Sequence, residues 1–210
     1  MMSVVSLVYA SSPRGSGFIV YASPQAFLAM TCEHVIRGCR ELQIFFPGET
    51  KAYKARVLRH DPTIDLALIS FLPDGDCLER RVPLRFADLN TPLNCGAVRL
   101  IGYHQVPQGR LLSPGVFDGN LTVQEADQTD DPEMKRRSIQ FLNCNYASEP
   151  GTSGGPILKG DRVVGVNSDY FGGHRFSISV IGVCNTLRKW LNMENSAVGI
   201  DDMLAMLARE

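Results

Sequence analysis

Residues 149–158, EPGTSGGPIL, crowd glycine and proline around a single serine, Ser153. A run of Gly and Pro is ordinarily a turn between strands and needs no chemistry. Gly151, Gly154 and Gly155, however, open backbone conformations closed to other residues and allow close approach to a ligand. Such a loop can turn its N–H groups inward beside a hydroxyl. A serine hydroxyl is a poor nucleophile at neutral pH and becomes useful beside a base that a carboxylate orients. The histidines are His34, His60, His104 and His174. His34 lies in FLAMTCEHVIRG, an apolar strand ending in a short turn or helix, where a lone histidine is more often structural. Asp65 opens the apolar run of HDPTIDLALISF, where a carboxylate more often caps a strand. Asp61 is its rival. Each signal alone is weak.

Other chemistry is less well supplied. Cys32, His34 and Cys39 suggest a metal, but a structural zinc takes four ligands, usually from paired short spacings, and no second pair is present. Cys144 and Cys184 have neither a nearby histidine nor a Gly-rich loop that would make them nucleophiles. The expectation is no metal and no cofactor. An esterase elbow would read G-x-S-x-G on a strand-to-helix turn. Here two glycines and a proline follow the serine.

The elements that must position these groups are short. Runs rich in Val, Ile, Leu and Phe recur at 3–9, 17–22, 26–31, 42–46, 52–59, 65–71, 97–103, 115–123, 138–146, 155–158, 162–168 and 175–182. Many short strands with turn signals at this spacing predict an all-β barrel or sandwich. Helical spacing is confined to the end, in NTLRKWLNM (185–193) and GIDDMLAMLAR (199–209). The segment 124–137, QEADQTDDPEMKRR, is polar, acidic first and basic last, and reads as a long exposed loop of the kind that is often functional or mobile.

With 210 residues, 44% hydrophobic and 20% charged, the chain has the composition of a folded protein large enough for one domain or two small barrels sharing a core. A net charge of −1 creates no field to attract nucleic acid or an anionic membrane. No apolar run approaches the ~18 residues of a membrane span. VVSLVYASS near the start lacks a basic flank and is read as the first strand rather than a signal core. The six cysteines are spread through apolar segments, which predicts reduced thiols in a cytoplasmic protein.

Taken in order, GSGFIV, AMTCEHVI, DPTIDLALI, PGTSGGPIL and VVGVNS resemble the trypsin/chymotrypsin-like serine proteases, and within them the bacterial HtrA/DegP-like group. The resemblance spans roughly residues 3 to 192. It implies an all-β double β-barrel of the chymotrypsin type with a C-terminal helix: a protease domain over 1–192, with barrels at roughly 1–90 and 91–185, and a helical tail at 193–210. It implies that His34, Asp65 and Ser153 form a catalytic triad, with Ser153 attacking the scissile carbonyl, His34 moving the proton and Asp65 orienting the imidazole. The N–H groups of Gly151 and Ser153 would form the oxyanion hole. Ala147, Ser148, Ser168 and Asp169 would line the substrate site, and the partner would be a protein or peptide substrate.

Several positions depart from the pattern. Cys32 and Glu33 precede the histidine where the family has small residues, and Glu33 sets a charge beside the base. Thr152 replaces the aspartate with which digestive members hold a newly cut N-terminus, so control by N-terminal cleavage is not expected. The cysteines that form the family's disulfides beside the histidine and before the serine are missing. Ala147 stands where trypsin has an aspartate, which predicts an apolar side chain before the cut unless Glu149 or Asp169 turns inward. Loop 124–137 resembles in position the mobile activation loops of HtrA-like relatives, which implies a regulatory protein partner; the alternative is an ordinary surface loop. The chain leaves only a helix past the barrels, and no PDZ domain is expected. The opposing reading is a catalytically silent protease fold that serves as a binding module.

Overall fold

A computed structural model describes residues 3–9, 12–72, 81–93, 95–105, 112–122, 139–168 and 177–210. Loop 124–137, Asp169, His174 and Cys77 lie outside the described residues.

Six antiparallel strands close the first barrel: β1 (Val4–Tyr9), β2 (Ser12–Ala22), β3 (Phe27–Thr31), β4 (Leu42–Phe45), β5 (Ala52–Asp61) and β6 (Leu66–Phe71), in the order β1-β2-β3-β6-β5-β4. The second is closed by β7 (Gly96–Gln105), β8 (Leu112–Thr122), β9 (Phe141–Cys144), β10 (Pro156–Lys159), β11 (Arg162–Asn167) and β12 (Ser177–Ser179). Its order, β10-β11-β12-β9-β8-β7, is the same circuit taken in the other sense. The double barrel expected from the resemblance is the fold observed, and closure removes the open edges that short strands would otherwise expose.

Burial follows from composition. FLAMT in β3 and LALISF in β6 are buried at every position, as expected of apolar runs at the centre of a core. Phe27 meets Phe71 edge-on at a centroid distance of 5.3 Å, and Phe46 meets Tyr53 edge-on at 5.5 Å. The second barrel packs Leu100, Leu121, Leu142, Tyr146, Ile157 and Val164. The connection between barrels is tied to both: Leu84 N–H donates to Ile19 O, and Val163 N–H donates to Arg85 O.

A short helix, α1 (Glu33–Ile36), follows β3. Two more close the chain, α2 (Val180–Trp190) and α3 (Ile200–Leu207). The run 175–182, expected as one strand, divides at Ser179. Its hydroxyl accepts the Gly182 N–H and caps α2, so the helix begins five residues before the periodicity at 185–193 suggests. The buried stripe Val180, Val183, Cys184, Leu187 is helical, but its first members look like strand when read with Ser177 and Ile178. At its other end, 17–22 proves too short: β2 starts at Ser12, because SPRGS pairs with β1 despite its turn-like composition. In α3, Met203, Leu204 and Leu207 are buried in the same cluster as Phe18 and Ile64. Among the described residues no helix is long and apolar enough to cross a membrane.

Candidate active site

His34 is set by α1, at the end of β3 in the first barrel. Asp65 lies immediately before β6 and reaches back to it. One carboxylate oxygen, Oδ1, accepts the His34 backbone N–H at 2.8 Å, and the other, Oδ2, lies 2.7 Å from His34 Nδ1. The Asp65 carbonyl accepts the Glu33 N–H at 3.2 Å. This grip needs Asp65 at φ 58°, a left-handed conformation that Asp tolerates better than bulkier residues do. The rival, Asp61, is engaged elsewhere: Lys189 Nζ lies 2.7 Å from its Oδ2, and Thr63 donates to its Oδ1.

A third donor completes the carboxylate. Ser168, after β11 in the second barrel, gives its hydroxyl to Asp65 Oδ2 at 2.6 Å. Burial opposes ionisation of Asp65, but hydrogen bonds from the His34 ring, Ser168 and the His34 N–H outweigh it and hold the carboxyl below the usual carboxylate range. A depressed folded-state value means that these bonds add stability above the unfolded carboxylate's ordinary ~3.9 and lose it as pH falls through the folded value. In Asp65→Asn an amide replaces one acceptor oxygen and meets a donor. The melting temperature of this variant should therefore lie below that of the parent at neutral pH, with the gap closing in acid. A gap independent of pH, measured by thermal melts from neutral to pH 3, would refute this account.

The Glu33 carboxylate has a partner of its own. It is buried and turned to Arg37, whose Nε lies 2.9 Å from Oε2 in an i,i+4 pair. Cys32 is fully buried, and its Sγ lies 3.2 Å from Asn167 O. Burial, with the Asp65 charge behind it, pushes the Cys32 thiol well up. The metal-type cluster that the fold assembles is Cys32, His34 and Asp65, with ligand atoms within 4.8 Å of one another; Cys39 is not part of it. That donor set suits a metal poorly, because the thiol resists deprotonation and the carboxylate is already taken by three donors. Burial likewise pushes Cys144 up to about 12 and raises Cys184, so neither offers a ready thiolate.

Ser153 comes from the loop between β9 and β10 and is 5% exposed. Two glycines allow the loop its shape. Gly151 has φ 100° and Gly154 has φ 85°. A Cβ on Gly154 would sit 2.1 Å from Ser16 O, 2.4 Å from Thr31 Oγ1 and 3.2 Å from Cys32 N, so the serine loop lies hard against the start of α1. Within the loop, Thr152 N–H donates to Glu149 O, Gly154 N–H to Asn167 O and Gly155 N–H to Thr152 O. Among the described residues the N–H groups of Gly151 and Ser153 donate to nothing, and neither does the Ser153 hydroxyl. Two unspent donors, those of Gly151 and Ser153, therefore stand among the bonded amides of Thr152, Gly154 and Gly155.

Of the residues expected to line a substrate site, Ala147 is exposed and Ser148 half-buried on the approach to this loop, and Ser168 sits beside Asp65. The Glu149 carboxylate is turned to His104. Its Oε2 lies 2.8 Å from His104 Nδ1 on β7. Sequence reasoning missed Ser16 and Asn167, and for Ser168, expected at the substrate site, it missed the hydroxyl's bond to Asp65. Ser16 in β2 accepts the Tyr103 N–H on its hydroxyl and donates to Gly151 O at 2.7 Å, while its N–H donates to Ser153 O at 2.8 Å. Asn167 bonds the loop through both its backbone and its side chain. A polar residue inside an otherwise apolar strand, as in VVGVN, is the one signal that could have singled out Asn167.

This fold and this loop are those of a known class. Residues 15–166 match the model of the trypsin-like peptidase domain, and the chain belongs to that family. It is 31% identical over 159 residues to an uncharacterized protein, y4bJ, of Sinorhizobium fredii, covering 75% of this chain and 22% of that protein. It is 29% identical over 162 residues to a probable periplasmic serine endoprotease DegP-like of Marinomonas sp., covering 76% of this chain and 30% of that protein. The chain thus spans less than a third of these curated relatives. Among solved structures, the inactive form of a mutant of Rv3671c from M. tuberculosis H37Rv superposes with a TM-score of 0.64 at 22% identity, over 94% of this chain and 89% of that one.

Proposed function

We propose that the chain is a serine endopeptidase that hydrolyses protein or peptide substrates through Ser153, His34 and Asp65. The observation that carries this reading is an imidazole held by the Asp65 carboxylate at the start of α1, against which the Ser153 loop packs, with the Gly151 and Ser153 N–H groups donating to nothing described. Ser153 Oγ would attack the scissile carbonyl as His34 takes its proton. The charge on the tetrahedral oxygen would fall to the Gly151 and Ser153 N–H groups, each such donor contributing about 3–4 kcal/mol in comparable sites. His34 would then protonate the leaving amine, and water would release the acyl group by the same steps in reverse. Catalytic hydrogen bonds are often open in unliganded sites, and the unspent Ser153 hydroxyl is compatible with that behaviour.

For the side chain before the cut we propose an apolar preference. Ala147 supplies no carboxylate for a cation, and the Glu149 carboxylate is held by His104. A desolvated Lys or Arg without a partner would bind poorly. We further place the protein in a reducing compartment such as the cytoplasm, a reading supported by the free thiols of Cys32, Cys39, Cys95, Cys144 and Cys184.

A fluorophosphonate probe tests the function directly. Mass spectrometry should find it on Ser153, and a peptide library should be cut after apolar residues by the parent and not by Ser153→Ala. Absence of both labelling and cleavage would leave the binding-module reading. Dominant cleavage after Lys or Arg that vanishes in Asp169→Asn would overturn the apolar preference.

A further inference from the structure

Two peptide planes of the serine loop are each held at both ends. In the plane joining Gly151 to Thr152, the carbonyl accepts Ser16 Oγ and the N–H donates to Glu149 O. In the plane joining Ser153 to Gly154, the carbonyl accepts Ser16 N and the N–H donates to Asn167 O at 2.7 Å. The first barrel supplies Ser16 to both planes. The second barrel supplies Asn167 to the one directly, and its side chain reaches the other.

Asn167 is 3% exposed at the end of β11. Its Nδ2 lies 3.1 Å from Thr152 Oγ1, and Thr152 Oγ1 lies 2.7 Å from Glu149 O. A carbonyl can only accept, so the Thr152 hydroxyl donates to Glu149 and must accept from Asn167. This sets the amide orientation: Nδ2 faces Thr152 and Oδ1 faces Tyr146, whose hydroxyl donates to it at 2.8 Å. The same Tyr146 hydroxyl is 2.9 Å from Ser177 Oγ. The result is a buried chain of hydrogen bonds running in one sense from β12 through Asn167 to the serine loop, with its members satisfied. Asn167 N–H also donates to Gly155 O.

We propose that Asn167 is the positioning residue of the serine loop, which it holds through Thr152 so that the Gly151 and Ser153 N–H groups stay together on the side of the Ser153 hydroxyl. The inference rests on the hydrolase reading for its use, but the tie itself is a property of the fold. Freed from Asn167, Thr152 keeps its bond to Glu149 O but loses its anchor in β11. The loop then wanders, and a displacement of about 1 Å at a reacting centre is enough to cost on the order of 10²-fold in rate.

Two substitutions approach the tie from opposite sides. Asn167→Val removes the amide but leaves the backbone bonds of residue 167 and the Tyr146–Ser177 bond. Thr152→Val removes the hydroxyl, and Thr152→Ser restores it. Amide hydrogen exchange of Thr152, Gly154 and Gly155 is read by NMR beside steady-state hydrolysis and thermal melts. Each valine variant should speed exchange at these amides at least tenfold. Each should lower kcat by about 10–100-fold with KM nearly held, and the double variant should be no worse than either single one, as expected of residues in one chain. Thr152→Ser should recover both readings. Unchanged exchange in Asn167→Val, or kcat losses that multiply in the double variant, would overturn the proposal. Accelerated exchange in a protein whose parent neither labels nor cleaves would uphold the tie and sink only the hydrolase reading.

Discussion

Ser153→Ala should bring peptide and ester hydrolysis down to background, a fall of about 10⁵–10⁶ in kcat if the three residues act as a unit, and should leave the melting temperature almost untouched. The stability half of this expectation comes from the hydroxyl itself, which donates to nothing among the described residues, so its removal breaks no bond within the fold. His34→Ala should cost nearly as much activity. It spares the backbone N–H that Asp65 Oδ1 accepts and the Ser168 hydroxyl on Oδ2, so the carboxylate keeps two of its three donors. The double variant should be hardly worse than either single one. Kinetics on all three, with calorimetry beside them, decide the matter: equal activity in parent and Ser153→Ala refutes the nucleophile, and multiplied losses in the double variant refute joint action.

Among the described glycines whose surroundings are known, Gly154→Ala should be the most damaging. The added Cβ would lie 2.1 Å from Ser16 O and 2.4 Å from Thr31 Oγ1, at separations real Cβ atoms do not tolerate. Thr31 Oγ1 itself donates to Ser16 O at 2.7 Å, so neither atom can yield without breaking the bond between them. Gly160→Ala is the control. Gly160 also has positive φ, 65°, but nothing lies within 4 Å of its Cβ position. The control should therefore lose only the backbone cost of a left-handed residue, about 1–2 kcal/mol. Urea midpoints should separate the two widely, with Gly154→Ala poorly folded and inactive. Comparable midpoints would show that the clash relaxes at little cost.

Much of this architecture can be read from the sequence because barrel strands carry dense local signals. All twelve apolar runs correspond to strands, and the errors lie at ends, where tertiary pairing overrides composition. SPRGS reads as turn yet extends β2, and the strand run at 175–182 gives way to a helix once Ser179 caps it. For the site, the ordered motifs and the resemblance they carry single out His34, Asp65 and Ser153 as candidates, and geometry brings His34 and Asp65 within 2.7 Å. The support around them was not legible. Ser16 acts on residues 135 and 137 positions away, and an isolated serine in GSGF carries no mark of that task. The partner of Glu33 was missed for the same reason: adjacency in sequence placed it beside the base, whereas a helical turn delivers its carboxylate to Arg37.

The identical circuits of the two barrels have a mechanical consequence. His34 and Ser153 each follow the third strand of their own barrel, and Asp65 and Ser168 each join the fifth strand to the sixth. The four groups are thus two pairs of topological counterparts, and the Ser168–Asp65 bond of 2.6 Å joins one barrel to the other. A hinge rotation of one barrel against the other would draw Ser168 from Asp65 and Ser153 from His34 in the same movement. The geometry on which the proposed hydrolysis depends would then follow a single rigid-body coordinate, and a ligand wedged into the seam between the barrels would alter it without touching His34, Asp65 or Ser153.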